Sequence, residues 1–463
     1  FLVKKHSMII NALPIAFAIV LLAVFALDKL LYLVVFFTPL SLPLSELVRG
    51  LGFDMFLPTE PLLFGILLIF ILKCFANRKF DRDILVHPVS IAIYFSLFWM
   101  LVTSLTSTMP LVSLKFLLSR VWFIVGFYLL TAKLFESGKN IEKYIWLYTI
   151  PLMIVIFYST YRHLGYGLWD KQAAHFVMDP FYNDHTAYGA AIAMYLPFLF
   201  GFSFTKIYSP WVRFFVRISL GILMMGLILS YARAAWLSIL AVLVVWVIMR
   251  LKIRFKHLFI TFIVSLSLIL VFQHPILMYL ERNNTESSAN LAEHVSSMSN
   301  ISSDASNLER LNRWSCAIRM FADRPVFGYG PGTYMFQYAP YQLTGDRTII
   351  STNSANGGNA HSEYLGPMAE SGILGPVSVL ILFILVIYSG IHTYSRTNDK
   401  RLKTLVMGAL LGLMTYYIHG IMNNFLDTDK LSVPFWGFTA IIVAIDIQTR
   451  KDLLSKNLPE KQS

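Results

Sequence analysis

Long apolar stretches alternate with short polar segments along most of the chain. A helix needs about 20 apolar residues to cross the hydrocarbon core of a bilayer, and only helices and closed barrels can span it. The pattern therefore predicts a series of membrane-spanning helices. We place the apolar runs at residues 9–26, 29–45, 60–73, 88–107, 116–134, 143–162, 186–203, 213–231, 233–250, 256–273, 365–392, 404–424 and 431–447.

One polar interruption, residues 274–363, is much longer than the others. It divides the chain into N-terminal transmembrane helices (1–273), the loop itself (274–363), C-terminal transmembrane helices (364–449) and a short tail (450–463). The loop also carries the side chains best suited to chemistry, so we expect the functional site to include it.

The composition agrees with this interpretation. Of 463 residues, 56% are hydrophobic and 14% are charged, and the mean hydropathy is +0.62. A soluble domain carries about 25% charged residues. The net charge of +12 indicates basic loops beside anionic lipids, so no nucleic-acid partner is expected. The sequence predicts an all-α polytopic membrane protein.

Basic clusters set the orientation of the predicted spans, because Lys and Arg are enriched in cytoplasmic loops. When the spans are counted, every cluster falls on the same side. The loops at 46–59, 163–185 and 274–363 are then expected on the outer face, and the tail 450–463 in the cytoplasm. The clusters lie at residues 73–82, 133–143, 206–217, 250–256, 396–403 and 450–451.

Arg233 stands between two apolar runs, at the outer end of both. An arginine buried among spans is costly unless it is paired, so it is a candidate for function. The alternative is an interfacial arginine that reaches the lipid headgroups, with Trp236 as a membrane-interface residue.

A capping box, Ser306-x-x-Glu309, predicts a helix that ends near Asp323. On that helix Arg310 and Arg313 are near neighbours, and two adjacent guanidinium groups suit a diphosphate. The alternative is a solvated basic face on a surface helix.

The glycine-rich segment 325–333 follows this helix. No strand precedes it and no Lys-Ser/Thr follows it, so it does not fit a phosphate-binding loop. We expect a tight turn that packs the loop against the helical bundle.

His361 lies where the loop re-enters the membrane. A neutral imidazole can take a proton from an attacking hydroxyl, and Glu363 or Glu370 could orient it. The alternative is a structural histidine at a helix start.

Other polar residues face the same side and are candidates for supporting roles: Asn183, His185 and His419. Asp427-x-Asp429 resembles a metal-binding motif of nucleotide-sugar transferases. A lone pair of carboxylates without neighbouring ligands is a weak signal, so we predict neither a metal nor a cofactor.

Taken together, these residues resemble the O-antigen ligase and polymerase superfamily. The resemblance is carried by residues 230–236, 310–328, 360–365 and 370–375. It implies about twelve transmembrane helices with a large periplasmic helical loop between the ninth and tenth. Residues 29–447 then match the family architecture, and 9–26 becomes an additional N-terminal segment. The family often has Asn after the histidine, where this chain has Ser362.

The resemblance also implies a function. The donor would be a glycan on undecaprenyl diphosphate, bound by Arg233 and Arg310 with help from Arg313. His361 would activate a hydroxyl of lipid A–core or another glycan acceptor, with inversion and without metal, at the periplasmic face of the bacterial inner membrane.

Three further activities remain open at this point. They are polymerisation of repeat units, transfer to a protein hydroxyl, and transport of the same lipid-linked glycan. A transporter would place charges at mid-depth, whereas here the ionisable residues collect at one face.

Overall fold

The computed structural model describes residues 17, 19, 21–47, 55–77, 80–251, 305–344, 347, 351 and 358–457. Within them the chain is helical apart from loops and one antiparallel pair, β1 (Leu42–Pro43) with β2 (Phe56–Leu57). The helices of the first half are α1 (Leu27–Phe37), α2 (Thr59–Asn77), α3 (Pro88–Leu105), α4 (Pro110–Ile124), α5 (Lys139–Leu164), α6 (His185–Phe204), α7 (Pro210–Leu229) and α8 (Arg233–Arg250). The later ones are α9 (Ala305–Asp323), α10 (Leu365–Ser371), α11 (Leu374–Arg396), α12 (Lys400–His419) and α13 (Asp429–Asn457).

Among the described residues, nine helices are long and apolar enough to cross a membrane. They are α2 to α8, α11 and α13, with α4 continuing through a π-helical turn (Val125–Leu130) to Leu134. α12 has 20 residues and lies among them, although its first turn is basic. The predicted all-α polytopic membrane fold is confirmed. The run 256–273 and the 273/274 boundary lie outside the described residues, as does most of 9–26.

Two predicted spans are interrupted in the structure. The run 29–45 was expected to be one helix, but α1 ends at Phe37 and a 3₁₀ turn containing Pro39 follows. Proline lacks a donor N–H and clashes with the preceding helical turn, so the helix stops there. The run 365–392 is divided into α10 and α11 by Gly372, which has φ +63°. α13 continues to Asn457, into the predicted tail.

The helices form a buried centre and a lipid-facing periphery. In the apolar windows of α13 and α6, 89% and 78% of residues are buried, against 28% in α7 and 17% in α8. The rings of Tyr148 and Tyr195 stack between α5 and α6 at 4.6 Å, and the Tyr144 hydroxyl donates to the Val433 carbonyl at 2.9 Å. The inner helices therefore hold the fold together, while the outer ones present apolar surface to lipid.

Lys430 fastens the N-terminal segment to α13. Its buried ammonium donates to the carbonyls of Thr38 and Ser41 at 2.7 and 2.8 Å. The adjacent Asp429 accepts hydrogen bonds from the hydroxyls of Ser41 and Thr59. A buried charge is tolerated only when it is paired and hydrogen-bonded. The N-terminal segment supplies the hydrogen bonds, and the adjacent Asp429 supplies the opposite charge.

The predicted basic loops meet at one end of the bundle. Arg401 pairs with Glu142 at 2.7 Å, and Lys451 pairs with Asp83 at the same distance. These contacts join four segments that the charge pattern assigned to a single face. The opposite end carries the residues singled out as functional candidates.

Candidate functional site

The loop helix α9 ends at Asp323, as predicted, and its described part starts at Ala305. Ser306 therefore lies inside the helix instead of capping it. Glu309 pairs with Arg313 one turn later, with Oε1 and Nε 2.7 Å apart. This ion pair, rather than the expected capping box, uses the glutamate.

Arg313 is held on several sides. Its side chain is buried, with 3% exposed, and its guanidinium lies 4.0 Å from the centre of the Tyr338 ring. Its Nη1 reaches the Gly358 carbonyl at 3.5 Å. Arg313 thus fastens α9 to the segment just before His361.

The segment after α9 interlocks with the break between α10 and α11. The amides of Tyr329 and Gly330 donate to the carbonyls of Ala369 and Glu370, at 3.1 and 2.7 Å. A Cβ on Gly372 would overlap the Val326 carbonyl, and φ is positive there. Only glycine fits this close approach. The structure confirms that segment 325–333 is a packing turn.

His361 is positioned by its backbone. Its φ is +50°, in the left-handed region that non-glycine residues seldom adopt. The amide donates to Asn359 Oδ1 at 3.1 Å, and the carbonyl accepts from Trp314 Nε1 at 3.3 Å. Burial, then the charges of Arg310 and Arg313, lower the His361 pKa from 6.5 to about 4. The imidazole is therefore neutral near pH 7.

The turn that presents Arg233 is also strained. Tyr231 has φ +50°, and Arg233 is the first residue of α8. Trp236 Nε1 donates to the Leu227 carbonyl at 2.8 Å, so the tryptophan closes the turn. A Cβ on Gly189 would overlap that of Ala232, which shows how closely the turn packs on α6.

These segments converge. Arg310 lies within electrostatic range of His361, His185 and His419, and Arg233 lies within range of His185. We call these five residues the cationic cluster. Five separate parts of the chain supply it: the α7–α8 turn, α9, the loop before α10, the start of α6 and the end of α12.

Further polar groups border the cationic cluster. His185 Nδ1 lies 3.5 Å from Asp184 Oδ1, and the rings of His175 and His185 are 4.1 Å apart. Asn183 is exposed beside them. The arrangement offers donors and positive charge to an anion.

The Glu363 side chain is hydrogen-bonded to groups other than His361. Its Oε1 accepts from the Tyr416 hydroxyl at 2.5 Å and from the amides of Phe425 and Leu426 at 3.0 and 3.1 Å. Burial raises its pKa, against the opposing charge of Arg120. Glu363 fastens the 420–428 loop; its predicted share in the chemistry of His361 stays a prediction.

Glu370 has a comparable role on the next loop. Its Oε1 accepts from the Tyr334 amide at 3.0 Å. Burial raises its pKa to about 7, so the carboxyl is part-protonated at neutral pH. Like the contacts of Glu363, those of Glu370 hold a loop in place.

Sequence reasoning missed a cavity of about 310 Å³ that is lined in part by residues of the 358–363 segment. Arg120 and Asp427 line it, with Asn424 and Trp436. One signal was available, because Arg120 is a lone arginine inside the apolar run 116–134, where charge usually marks function.

The Asp427-x-Asp429 pair does not act as a unit. Asp429 is buried and bonded to Ser41 and Thr59, whereas Asp427 lines the cavity. Across the described ranges, no group of three or more His, Cys, Asp or Glu residues is arranged to hold a metal ion.

Comparison with known proteins adds one finding. Residues 218–380 match the family model described as O-antigen ligase. The matched segment begins in α7 and ends in α11, so it includes Arg233, α9 and His361. No curated protein matches the chain.

Proposed function

We propose that the chain, of which residues 218–380 match the O-antigen ligase family model, transfers a glycan from undecaprenyl diphosphate to lipid A–core. The chain is a multi-pass membrane protein. In the proposal it lies in the bacterial inner membrane, with the cationic cluster facing the periplasm.

The observation that carries the proposal is that Arg310 lies within electrostatic range of His361 and shares His185 with Arg233, although these residues are distant in the sequence. Two guanidinium groups beside a neutral imidazole provide an anion site next to a proton acceptor. A lipid-linked diphosphate donor and a hydroxyl acceptor need this combination.

In the proposed reaction the acceptor oxygen attacks the anomeric carbon of the donor sugar. The acceptor proton passes to His361, and the bond from the anomeric carbon to the phosphate oxygen breaks. Undecaprenyl diphosphate leaves with the bonding electrons, and Arg233 and Arg310 stabilise the charge that develops on it. A single displacement inverts the anomeric configuration.

Donor binding should also activate the base. In the free protein the pKa of His361 is about 4, which makes a weak base. A bound diphosphate places negative charge beside Arg310 and Arg313 and offsets their effect on the imidazole. The pKa of His361 therefore rises towards its ordinary value only when the donor is present, which couples proton transfer to the correct substrate.

Arg313 contributes indirectly in this scheme. Its guanidinium is engaged by Glu309 and Tyr338, so we assign it to positioning α9 and to shaping the field at His361. Arg233 and Arg310 are the proposed direct contacts to the diphosphate.

The first test is the lipopolysaccharide banding pattern of a strain that lacks the protein, complemented with variants. Loss should leave bare lipid A–core and accumulated lipid-linked glycan. Arg233→Ala, Arg310→Ala and His361→Ala should fail to restore ligation at normal expression. Arg319→Ala is the matched control on α9, because Arg319 donates to the Tyr341 carbonyl at 2.6 Å, away from the cationic cluster.

Other outcomes separate the alternatives. Core capped by a single repeat would identify a polymerase, which performs the same chemistry on another lipid-linked glycan. An unchanged pattern would exclude both and direct attention to a protein acceptor. Normal ligation by a well-expressed Arg310→Ala variant would remove that residue from the mechanism.

A further inference from the structure

The cavity beside the 358–363 segment lies between α3, α4, α11 and α13. Its volume of about 310 Å³ is at the lower end of ligand-binding pockets, which span about 300–1,000 Å³. Its apolar lining includes Ile93, Leu97 and Leu382, and its polar groups come from α3, α4, α13, the 358–371 segment and the 424–427 loop. The space is large enough for a sugar ring.

Two buried polar atoms at this cavity are unsatisfied. Within the described residues, neither Trp436 Nε1 nor Asn424 Oδ1 has a hydrogen-bond partner. Trp436 is only 6% exposed, and both residues line the cavity. Buried tryptophan N–H groups usually find a partner, because a buried polar group without one destabilises the fold. One unfilled donor and one unfilled acceptor suit a hydroxyl group, which can both accept and donate.

The charged groups of the cavity favour a neutral ligand over an anionic one. Among the described lining residues, one guanidinium, that of Arg120, faces three carboxyl groups, those of Asp427, Glu363 and Glu370. Arg120 is already occupied in part, because it donates to the Leu426 carbonyl and lies 4.8 Å from the Phe116 ring centre. A phosphate would gain little from this guanidinium, whereas a neutral hydroxyl group can hydrogen-bond to a carboxyl group whether or not that group is protonated. The cationic cluster, with two arginines, suits an anion better.

Asn359 connects the two sites. It lines the cavity, its Oδ1 accepts from the His361 amide at 3.1 Å, and its Nδ2 donates to the Asn424 carbonyl at 3.3 Å. A ligand in the cavity would therefore lie one side chain away from the backbone that holds the proposed base.

We propose that this cavity binds a neutral sugar of the acceptor glycan, with Asp427, Asn424 and Trp436 Nε1 as its hydrogen-bonding groups. The inference rests on the proposed function and adds to it the site of the acceptor. Donor diphosphate and acceptor sugar then bind at separate sites that Asn359 connects, in surroundings of different charge.

The test is direct binding of a dephosphorylated, lipid-free core oligosaccharide to the full chain in lipid nanodiscs, measured by calorimetry. Saturable binding is expected. Asp427→Asn should weaken it about tenfold, the loss expected for about 1.4 kcal/mol. Gly366→Leu is the second variant, because a Cβ there meets nothing closer than Ala360 at 3.8 Å, so a longer side chain can enter the cavity.

Two controls give the result its meaning. Asp452→Asn makes the same chemical change at an exposed position near the end of α13, outside the cavity, and should leave binding of the oligosaccharide unchanged. Arg310→Ala should weaken binding of undecaprenyl diphosphate but not of the oligosaccharide.

The acceptor site would be ruled out if the unaltered chain bound no oligosaccharide. It would also be ruled out if Asp427→Asn and Gly366→Leu bound the oligosaccharide as tightly as the unaltered chain does. Failure of the proposed function has a different signature. The unaltered chain would bind the oligosaccharide as expected, yet transfer no glycan to lipid A–core when the lipid-linked donor is supplied.

Discussion

The protonation of His361 gives the sharpest prediction. Burial and two arginines lower its pKa from 6.5 to about 4, so protonating it in the folded protein costs about 3 kcal/mol more than protonating an ordinary imidazole. Donor binding should recover part of this energy, because the diphosphate offsets the charges of Arg310 and Arg313. The pKa of His361 should therefore be higher in the donor complex than in the free protein.

The assay is the pH dependence of glycan transfer by the purified chain. The acid limb of kcat/KM reports the free protein and that of kcat reports the complex. We expect the kcat/KM limb near pH 4 and the kcat limb at a higher pH. Activity recovered after return to neutral pH controls for acid unfolding.

Either of two results would refute this reasoning. An acid limb of kcat/KM at pH 6.5 or above would mean that His361 is not buried beside the arginines in the free protein. Coincident limbs would mean that the diphosphate does not bind near Arg310 and Arg313.

The same shift makes His361 a source of acid lability. Between about pH 6.5 and pH 4 the unfolded chain binds a proton that the folded chain does not. Because of this proton, the free energy of unfolding decreases as the pH falls from about 6.5 to about 4. Above pH 6.5 His361 is neutral in both states and the effect is absent. His361→Asn should flatten this part of the stability profile in thermal unfolding.

Three further predictions follow from the contacts. Arg313→Ala should destabilise the protein by about 3–5 kcal/mol, because it leaves buried Glu309 without its ion-pair partner. The double variant Glu309→Ala, Arg313→Ala should lose less stability. Equal losses of stability by the two variants in thermal unfolding would contradict this. Gly372→Ala should lower the melting temperature and ligation, because its Cβ would meet the Val326 carbonyl, whereas Gly221→Ala, whose Cβ would have nothing within 4 Å, should be nearly neutral. Transfer should persist in EDTA, since arginines neutralise the diphosphate, and a requirement for Mg²⁺ or Mn²⁺ would overturn that mechanism.

Apolar runs predicted most of the spans because hydropathy is a local property of the sequence. The two interruptions differ in kind. Pro39 is a local signal that marks the end of α1, whereas the break at Gly372 depends on close contact with Val326, 46 residues earlier. Tertiary contacts of this sort cannot be derived from hydropathy.

The candidate site likewise has features that the sequence predicts locally and features that depend on tertiary contacts. Arg233 and His361 could be selected because each stands next to an apolar run, and Arg310 because it neighbours Arg313 on a predicted helix. Their spatial arrangement, and the engagement of Arg313 by Glu309 and Tyr338, required the structure. Arg120 was the one local signal of the cavity, because unsatisfied atoms leave no mark in a sequence.

The left-handed backbone of His361 also determines how an inert form of this protein should be made. Asparagine tolerates positive φ better than most residues, and its amide takes no proton near neutral pH. His361→Asn should therefore keep the shape of the 358–363 segment while halting turnover. Such a variant would let donor and acceptor accumulate together on one protein, as a stalled complex suited to electron cryomicroscopy.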